Sequence, residues 1–238
     1  MRIQRWLAQM GIGSRRQIDK MISMGQITVN ESPAELGMQL DGTERVCVEG
    51  KRIKLSKPAN KIIMLNKPYG TISSRHDPDG RPTVYHLLPH LKHGQWQNVG
   101  RLDFATTGLM LFSTDGHAVE RLTHPKHQIR RGYMVKCQGI ITPQQIKLIL
   151  KGVPLEDGVA KVQVCERRST KDSKNTTLYM EVSEGRNRLI RRIVESLGLN
   201  VLKLRRVRFG PWVLPDDLPP GKTLEIHPDH WPSWLSKT

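Results

Sequence analysis

Apolar positions in the first 55 residues indicate two short helices followed by short strands. Residues 2–10 place Ile, Trp, Leu and Met side chains at helical spacing. A second helix is predicted to begin at Ser14, whose hydroxyl suits an N-cap. Residues 27–29 then indicate a strand, and residues 45–55 a hairpin with Gly50 in its turn. The pattern therefore predicts a small helix-helix-strand module.

From residue 61 onward the pattern becomes mixed and rich in strands. Predicted strands lie at residues 62–65, 108–112, 133–137, 160–165, 178–182 and 200–207. Predicted helices lie at about 117–123, 143–151 and 187–197. Because strands and helices do not alternate regularly, we expect an α+β domain with a largely antiparallel sheet. We place the module at residues 1–57 and the larger domain at residues 61–238, joined by a linker at residues 56–60.

Composition and charge indicate that the protein binds a polyanionic partner. The chain has 238 residues, 37% of them hydrophobic, which is enough for one substantial core and a small second module. A formal charge of +16 is repulsive unless an anion meets it, so we expect nucleic acid. A membrane is disfavoured because no apolar run of about 18 residues occurs. The first residues lack the apolar core of a signal peptide, so we expect a cytoplasmic location.

No motif for a metal or an organic cofactor stands out. The three cysteines are far apart and form no CxxC pair, and His124 and His127 beside Pro125 fit a solvated loop better than a zinc site. The Gly-Lys-Thr at residues 221–223 lacks the preceding glycine of a phosphate-binding loop. We therefore expect neither a metal nor a cofactor.

Asp103 is the strongest candidate for chemistry. It lies in residues 98–112, between two apolar runs and beside Arg101, Thr106 and Gly108. A carboxylate in a short loop between two buried strands can be aimed rigidly at a substrate. The alternative is that Asp103 only caps the turn through its own backbone.

Residues 184–197 predict an amphipathic helix that carries several arginines. Apolar side chains fall on one face, and Arg188 and Arg192 on another. Arg191 lies near the border, where it could pair with a partly buried carboxylate and keep it ionised. For Arg188 and Arg192 an ordinary basic face is the simpler interpretation.

Further basic and aromatic residues favour an RNA surface. Tyr133 opens a strand just after two arginines, as in proteins that stack an unpaired base, although a strand tyrosine is usually core. Arg15 and Arg16 of the first module fit either a phosphate-facing surface or ordinary solvated charge. Arginines near residues 205–208 would extend the basic surface.

Four motifs in order resemble the RsuA/RluB family of ribosomal RNA pseudouridine synthases. They are Lys67-Pro-Tyr-Gly70, residues 100–109 around Asp103, Arg131-Gly-Tyr133, and residues 184–192. The first module is similar to the small αL, ribosomal-protein-like RNA-binding module of this family. The resemblance covers nearly the whole chain, and residues 77–84 look closer to the large-subunit type.

The resemblance implies a pseudouridine synthase fold with a mixed, mostly antiparallel sheet. It also implies that Asp103 is the essential aspartate, Tyr133 the ring that packs on the target uracil, and Arg191 the basic partner of the aspartate. RNA contact is assigned to the basic residues of these motifs and of the module: Arg15, Arg16, Lys67, Arg101, Arg186, Arg188 and Arg192. Leu189-Ile190 departs from relatives, which often have a polar residue followed by Val.

The expected activity is isomerisation of a specific ribosomal RNA uridine to pseudouridine, without a cofactor. The expected partner is ribosomal RNA or a pre-ribosomal particle, bound by a monomer. One rival is a noncatalytic RNA-binding or ribosome-assembly protein of the same fold, which would leave Asp103, Tyr133 and Arg191 without a purpose. Another is a glycosidase, which usually needs two carboxylates, and no second acid lies in a comparable motif.

Overall fold

The chain divides into two units in a computed structural model that describes residues 1–53, 60–92, 94–169 and 174–236. The first unit contains Met1–Lys61, His90–Gln97 and Thr114–Gly116, and the second contains the other residues. Most of the predicted linker, residues 56–59, lies outside the described residues. No helix within the described ranges is long and apolar enough to cross a bilayer.

The first unit has the two helices, the strand and the hairpin that its apolar pattern predicts, together with a two-residue strand at Ser32–Pro33 that was not predicted. They are α1 Ile3–Gln9, α2 Arg15–Ser23, β1 Ile27–Val29, β2 Ser32–Pro33, β3 Val46–Val48 and β4 Lys51–Ile53. Ser14 caps α2 in a capping box with Gln17, as its position before the apolar run suggested. The strands pair antiparallel in the order β2-β1-β3-β4. The apolar faces of both helices and of the sheet form one core.

The second unit is rich in strands, and its elements follow in chain order. They are β5 Ile62–Lys67, β6 Gln97–Val99, β7 Thr106–Ser113, α3 Gly116–Thr123, β8 Arg131–Gln138, α4 Pro143–Lys151, β9 Val153–Leu155, β10 Gly158–Ala160, β11 Val164–Arg167, β12 Asn175–Val182, α5 Leu189–Glu195, β13 Val201–Phe209, β14 Trp212–Val213, β15 Thr223–Ile226 and α6 Ser233–Ser236. Short 3-10 helices cover Val84–Leu87, Pro125–His127 and Pro228–His230. The α+β prediction is confirmed.

A mixed sheet organises the second unit. Its main path through the described residues runs β11-β12-β8-β13-β7-β5-β15, with β6 attached to β7 and β14 to β13. Along that path only the β13–β7 pair is parallel, and the other pairs are antiparallel. All six residues of β5 and seven of the eight in β7 are buried, which explains their continuous apolar runs.

Two hydrophobic clusters pack against this sheet. One contains the buried residues of α5, namely Leu189, Ile190, Ile193 and Val194, with side chains from β8 and β12. The other joins β5 and β7 to α3. The helical periodicity of residues 187–197 thus identified the buried face correctly. The helix itself is shorter, because Arg188 has a left-handed backbone with φ of 48° and precedes the first helical residue.

The single strand predicted at residues 160–165 is wrong. The chain instead forms β10, which pairs with β9 in a two-stranded sheet, and β11, which pairs with β12 in the large sheet. Ala160, Val162 and Cys165 are all buried in one cluster, so the apolar pattern reflected real burial. Burial pattern alone did not reveal that the backbone changes its pairing partner between these residues.

Gly108 permits the one parallel pairing of the main path. It lies opposite Arg206 in the β7–β13 register, with φ of +98°. A Cβ atom at this position would lie 2.2 Å from the carbonyl oxygen of Arg206, which is far inside contact distance. Only glycine therefore allows β7 and β13 to approach this closely.

Gly108→Ala should destabilise the protein by about 3 kcal/mol or more, through the clash with backbone and the unfavourable φ. Chemical denaturation of the variant and the wild type measures this loss. Gly116→Ala is the control, because its Cβ would meet no atom closer than 3.5 Å. A Gly108→Ala variant as stable as that control would contradict the argument.

Candidate active site

Asp103 lies in a loop, residues 100–105, that several hydrogen bonds hold between β6 and β7. Ser73 Oγ donates to the carbonyl of Leu102 at 2.7 Å and accepts from its N–H at 3.2 Å. The N–H of Thr106 donates to the carbonyl of Asp103 at 3.0 Å, and that of Gly70 to Phe104 at 3.1 Å. Within the described residues the Asp103 carboxylate accepts no hydrogen bond, so its side chain does not cap the turn.

Lys67 supports this loop from the protein interior. Its side chain is fully buried, and its Nζ donates to the carbonyls of Pro68, Phe104 and Thr106 at 3.1, 3.3 and 2.9 Å. Burial lowers the pKa of Lys67 to about 8, and the attraction of Asp103 opposes that decrease. The assignment of Lys67 to direct RNA contact is therefore wrong, because its ammonium group is enclosed by backbone.

A cleft of about 190 Å³ opens over this loop, and all of its walls belong to the second unit. Arginines dominate its charged lining, and Asp103 and Glu184 are its carboxylates. The lining residues are Gly100, Arg101, Leu102, Asp103, Thr106, Thr123, Arg131, Tyr133, Val182, Glu184, Gly185, Arg186, Arg188, Leu189, Ile190, Leu204 and Arg206. The structure thus brings Asp103 and Tyr133 into one basic cavity, as the motifs suggested.

Tyr133 is half-buried on β8, where its neighbours across the sheet are known from the register. It lies directly opposite Arg206 of β13 and Met180 of β12. Directly opposed residues place their side chains on the same face of a sheet. The Tyr133 ring and the Arg206 guanidinium are therefore neighbours at the cleft.

The start of β8 is held by a polar network on the adjacent strands. Buried Glu181 accepts a hydrogen bond from the Tyr179 hydroxyl at 2.6 Å and pairs with Arg208 and Arg130 at 3.4 and 3.6 Å. The Tyr179 hydroxyl also lies only 2.5 Å from where a Cβ on Gly132 would stand. This explains the glycine of the Arg131-Gly-Tyr133 motif, since any side chain would displace the network.

Arg191 reaches the active-site loop without touching the aspartate. Its Nη2 donates to the carbonyl of Ala105 at 3.3 Å, and its buried Nε has no hydrogen-bond partner among the described residues. The expected ion pair with Asp103 is not formed here, because no contact within 4.0 Å joins the two side chains in the described ranges. Arg191 instead holds the loop two residues beyond the aspartate.

The other basic candidates fall into two groups. Arg15 and Arg16 are exposed at the start of α2, and Arg101 is exposed at the cleft, so all three are accessible to phosphate. The arginines near α5 already have carboxylate partners: Arg186 pairs with Glu184 and Asp157, Arg192 with Asp157, and Arg188 with Glu195. RNA contact by the second group requires these ion pairs to open or to be shared.

Two exposed aromatic rings beside Asp103 were missed in the sequence. Phe104 is 40% exposed and Tyr69 is 68% exposed, and their ring centroids lie 5.9 Å apart in an edge-on arrangement. Each residue is part of a recognised motif, so their positions were visible, but nothing in the pattern showed that they meet. Exposed rings in a basic protein are suited to stack on unpaired bases.

A second, larger cleft of about 530 Å³ adjoins the first. It shares Thr123, Arg131 and residues 184–186 with the first cleft, and adds residues from the Pro125–His127 segment and Lys161. Basic residues therefore continue past the aspartate along the surface of the second unit. A linear polyanion could follow such a path.

Comparison with known proteins identifies the fold of both units. The family model described as RNA pseudouridylate synthase matches residues 61–196, and the S4 domain model matches residues 1–46. A solved structure described as a crystal structure of pseudouridylate synthase superimposes with a TM-score of 0.65 at 26% identity, covering 95% of this chain and 96% of that chain. The expected fold and the RNA-binding type of the first module are thereby confirmed.

Curated relatives have greater sequence identity. Ribosomal large subunit pseudouridine synthase B of Pseudomonas aeruginosa is 42% identical over 228 residues, covering 94% of this chain and 59% of that protein. The protein of the same name from Vibrio cholerae is 38% identical over 229 residues, covering 94% of this chain and 71% of that protein. The chain spans 48% of the Xylella fastidiosa protein of that name, so about half to three quarters of these relatives is represented.

Burial of the Lys67 ammonium group should make the free energy of unfolding depend on pH. Because its pKa falls from 10.5 to about 8 on folding, the unfolded state binds more protons between these values. Folding should therefore become more favourable as pH rises from about 8 to 10.5, relative to a variant without this group.

Urea unfolding of wild type and Lys67→Met at several pH values tests this. The free energy of unfolding of wild type minus that of Lys67→Met should be constant below pH 8 and should become more positive above pH 8. Lys203→Met, at an exposed position of β13, controls for the loss of one lysine. A difference that stays constant or narrows would show that Lys67 is not destabilised by burial.

Proposed function

The chain belongs to the RNA pseudouridylate synthase family, and on this premise we propose that it isomerises a uridine of ribosomal RNA to pseudouridine. The observation that carries the proposal is Asp103, which lies on a hydrogen-bonded loop and lines a cleft rich in arginine, and whose carboxylate accepts no hydrogen bond from the part of the chain that the structure describes. An ionised carboxylate in a basic, concave site is suited to act on the ribose of an RNA nucleotide.

Two routes are open to this carboxylate. It can attack C1′ of the ribose and displace uracil, which forms an ester that is later broken by C5 of the base. Alternatively it can remove the proton from C2′, so that a double bond forms between C1′ and C2′ as uracil departs. Both routes require the target nucleotide to leave its helical stack, which costs a few kcal/mol.

Tyr133 and Arg191 have supporting roles in this proposal. The ring of Tyr133, half-buried beside Arg206, packs on the extruded uracil and offsets part of the unstacking cost. Arg191 positions the aspartate through the carbonyl of Ala105 and provides a positive charge near the loop. Its Nε, which has no hydrogen-bond partner within the described ranges, is proposed to gain one when RNA binds.

RNA contact extends beyond the catalytic aspartate. We propose that residues 1–57 form an RNA-binding module with Arg15 and Arg16 on its surface, and that residues 61–238 form the catalytic domain. Arg101, which is exposed and lines the cleft, is proposed to meet phosphate. Arg186 and Arg192, which share Asp157, and Arg188, which pairs with Glu195, are proposed to add further RNA contacts.

The proposed substrate is large-subunit ribosomal RNA, free or in a pre-ribosomal particle. Relatives named ribosomal large subunit pseudouridine synthase B support the large subunit. We propose that the protein acts on this RNA as a monomer. Ribosomal RNA as the substrate favours a cytoplasmic location.

Mapping pseudouridine in ribosomal RNA from cells with and without the gene identifies the target, and unchanged maps would refute the assignment.

Asp103→Asn should abolish pseudouridine formation while RNA affinity changes little, because the amide can neither attack the ribose nor accept its proton. A single-turnover assay on ribosomal RNA transcript, with a parallel binding titration, measures both quantities. Asp217→Asn, an exposed position away from the cleft, controls for the loss of one negative charge. Wild-type conversion by Asp103→Asn would exclude the mechanism, and an inactive wild type would favour a noncatalytic RNA-binding protein.

Replacing both Tyr69 and Phe104 by Leu should weaken binding of an RNA with unpaired bases around the target. Stacking contributes about 1–3 kcal/mol per base, and leucine keeps apolar volume without a π face. Fluorescence titration measures the affinity, with Trp234→Leu as an exposed aromatic control on α6. Equal affinity of the double variant and the control would mean that the rings do not stack on RNA.

A further inference from the structure

Arg206 is a buried cation at the active cleft whose hydrogen-bonding capacity is not fully used. Its side chain is 2% exposed, and its Nε donates to the carbonyl of Leu109 at 2.7 Å. Its Nη2 is buried and has no hydrogen-bond partner within the described chain. Because a buried donor without a partner costs free energy, this nitrogen is suited to donate to an acceptor on a ligand that enters the cleft.

Arg131 adds a second buried cation beside the first. The guanidinium carbon of each arginine lies 5.0 Å from the centroid of the Phe209 ring. Burial and the charge of Arg206 lower the pKa of Arg131. Glu181, the buried acid on the neighbouring strand, is already paired with Arg130 and Arg208. Two like charges buried together are unfavourable unless an anion joins them.

Thr106 provides another unsatisfied polar atom in the same cleft. Its residue is 1% exposed, and its buried Oγ1 has no hydrogen-bond partner in the described part of the chain. Both Thr106 and Arg206 line the cleft that contains Asp103. The Asp103 loop leads directly into Thr106, the first residue of β7, and Arg206 is the cross-strand neighbour of Tyr133. The unsatisfied atoms therefore lie in the same cleft as the aspartate and the tyrosine.

We propose that Arg206 Nη2, assisted by Thr106 Oγ1, hydrogen-bonds the carbonyl oxygen of the departing uracil and stabilises the negative charge that develops on the base. The inference rests on the proposed function. It assigns to Arg206 a contact with the reacting base, which is distinct from the action of Asp103 on the ribose and from the contact of Arg191 with the loop.

The electron balance is the same for both routes of Asp103. When the bond between N1 and C1′ breaks, its electron pair stays on the base and is shared by N1 and the two carbonyl oxygens. In the first route a carboxylate oxygen forms the new bond to C1′. In the second the carboxylate takes the C2′ proton and the C2′–H pair forms the double bond. Either way uracil leaves as an anion, and Arg206 donates a hydrogen bond without transferring its proton.

A fixed donor in a site shielded from water is effective at this task. It is already oriented when charge develops, so no solvent has to reorganise. The bond from Nε to Leu109 and the contact with Phe209 hold the guanidinium in place before RNA arrives. The close approach of β7 to the backbone of Arg206 at Gly108 fixes the strand that carries it.

The test compares Arg206→Met and wild type on two RNAs that carry uridine or 5-fluorouridine at the target. Fluorine makes the departing base a more stable anion, so its departure depends less on a hydrogen-bond donor. The rate of cleavage between N1 and C1′ is measured in single turnover, as loss of the intact target nucleoside after nuclease digestion. On uridine the variant should be slower by roughly 100-fold, and on 5-fluorouridine the defect should be at least several-fold smaller.

Controls separate this role from a structural one. Lys203→Met removes one positive charge from an exposed position of the same strand, and its rate should not depend on the fluorine. RNA affinity of Arg206→Met should stay within a few-fold of wild type. If Arg206→Met does not fold, Arg206→Lys carries the same comparison, because its single ammonium cannot occupy both the Nε and Nη2 positions.

The outcomes distinguish the inference from the function on which it rests. Equal defects of the variant on both RNAs, or a loss confined to RNA affinity, would overturn the role of Arg206 while wild-type conversion still supported the synthase. If wild type cleaves neither RNA, the proposed function fails and the inference fails with it. A smaller defect on 5-fluorouridine, with affinity retained, supports charge stabilisation by Arg206.

Discussion

The close contact between β7 and β13 at Gly108 is the constraint on which the cleft depends. It is the only parallel pairing along the main path of the sheet within the described residues. On one side of it β7 begins at the end of the Asp103 loop, and on the other side β13 carries Arg206 next to Tyr133. A side chain at Gly108 would separate the two strands and with them the groups that meet in the cleft.

Lys67 supports the active-site loop although its charged group lies in the protein interior and not in the cleft. A single buried ammonium collects three carbonyl oxygens around the Asp103 loop, and hydrogen bonds from Ser73 hold the loop from another side. Such a loop presents the carboxylate at little further entropic cost. Burial of the ammonium group in this arrangement lowers the pKa of Lys67 to about 8.

The arginines near α5 and the buried arginines of the cleft differ in whether carboxylates neutralise them. Arginines near α5 are partly neutralised by Asp157, Glu184 and Glu195. Arg131 and Arg206, which are buried, have no comparable acid in the described chain. Exposed cations suit RNA phosphates that water also solvates, whereas buried cations favour a ligand that enters the cleft. This difference connects the basic composition to the proposed site for an extruded nucleotide.

Much of the architecture could be predicted from the sequence because it depends on local chemistry. The apolar period of α5, the cap at Ser14 and the continuous apolar run of β7 can each be recognised from residues close in the chain. The ordered motifs also indicated the family and the importance of Asp103. These features are set by hydrogen bonds and burial that act over a few residues.

Only the tertiary structure shows which distant residues meet, because the sequence of one strand says little about which other strand it pairs with. The change of partner between β10 and β11, the burial of Lys67 and the contact of Arg191 with Ala105 all depend on long-range packing. Arg206 belongs to the same class. In the sequence it was one of several arginines in a strand, and only its position opposite Tyr133 and its unsatisfied nitrogen distinguish it.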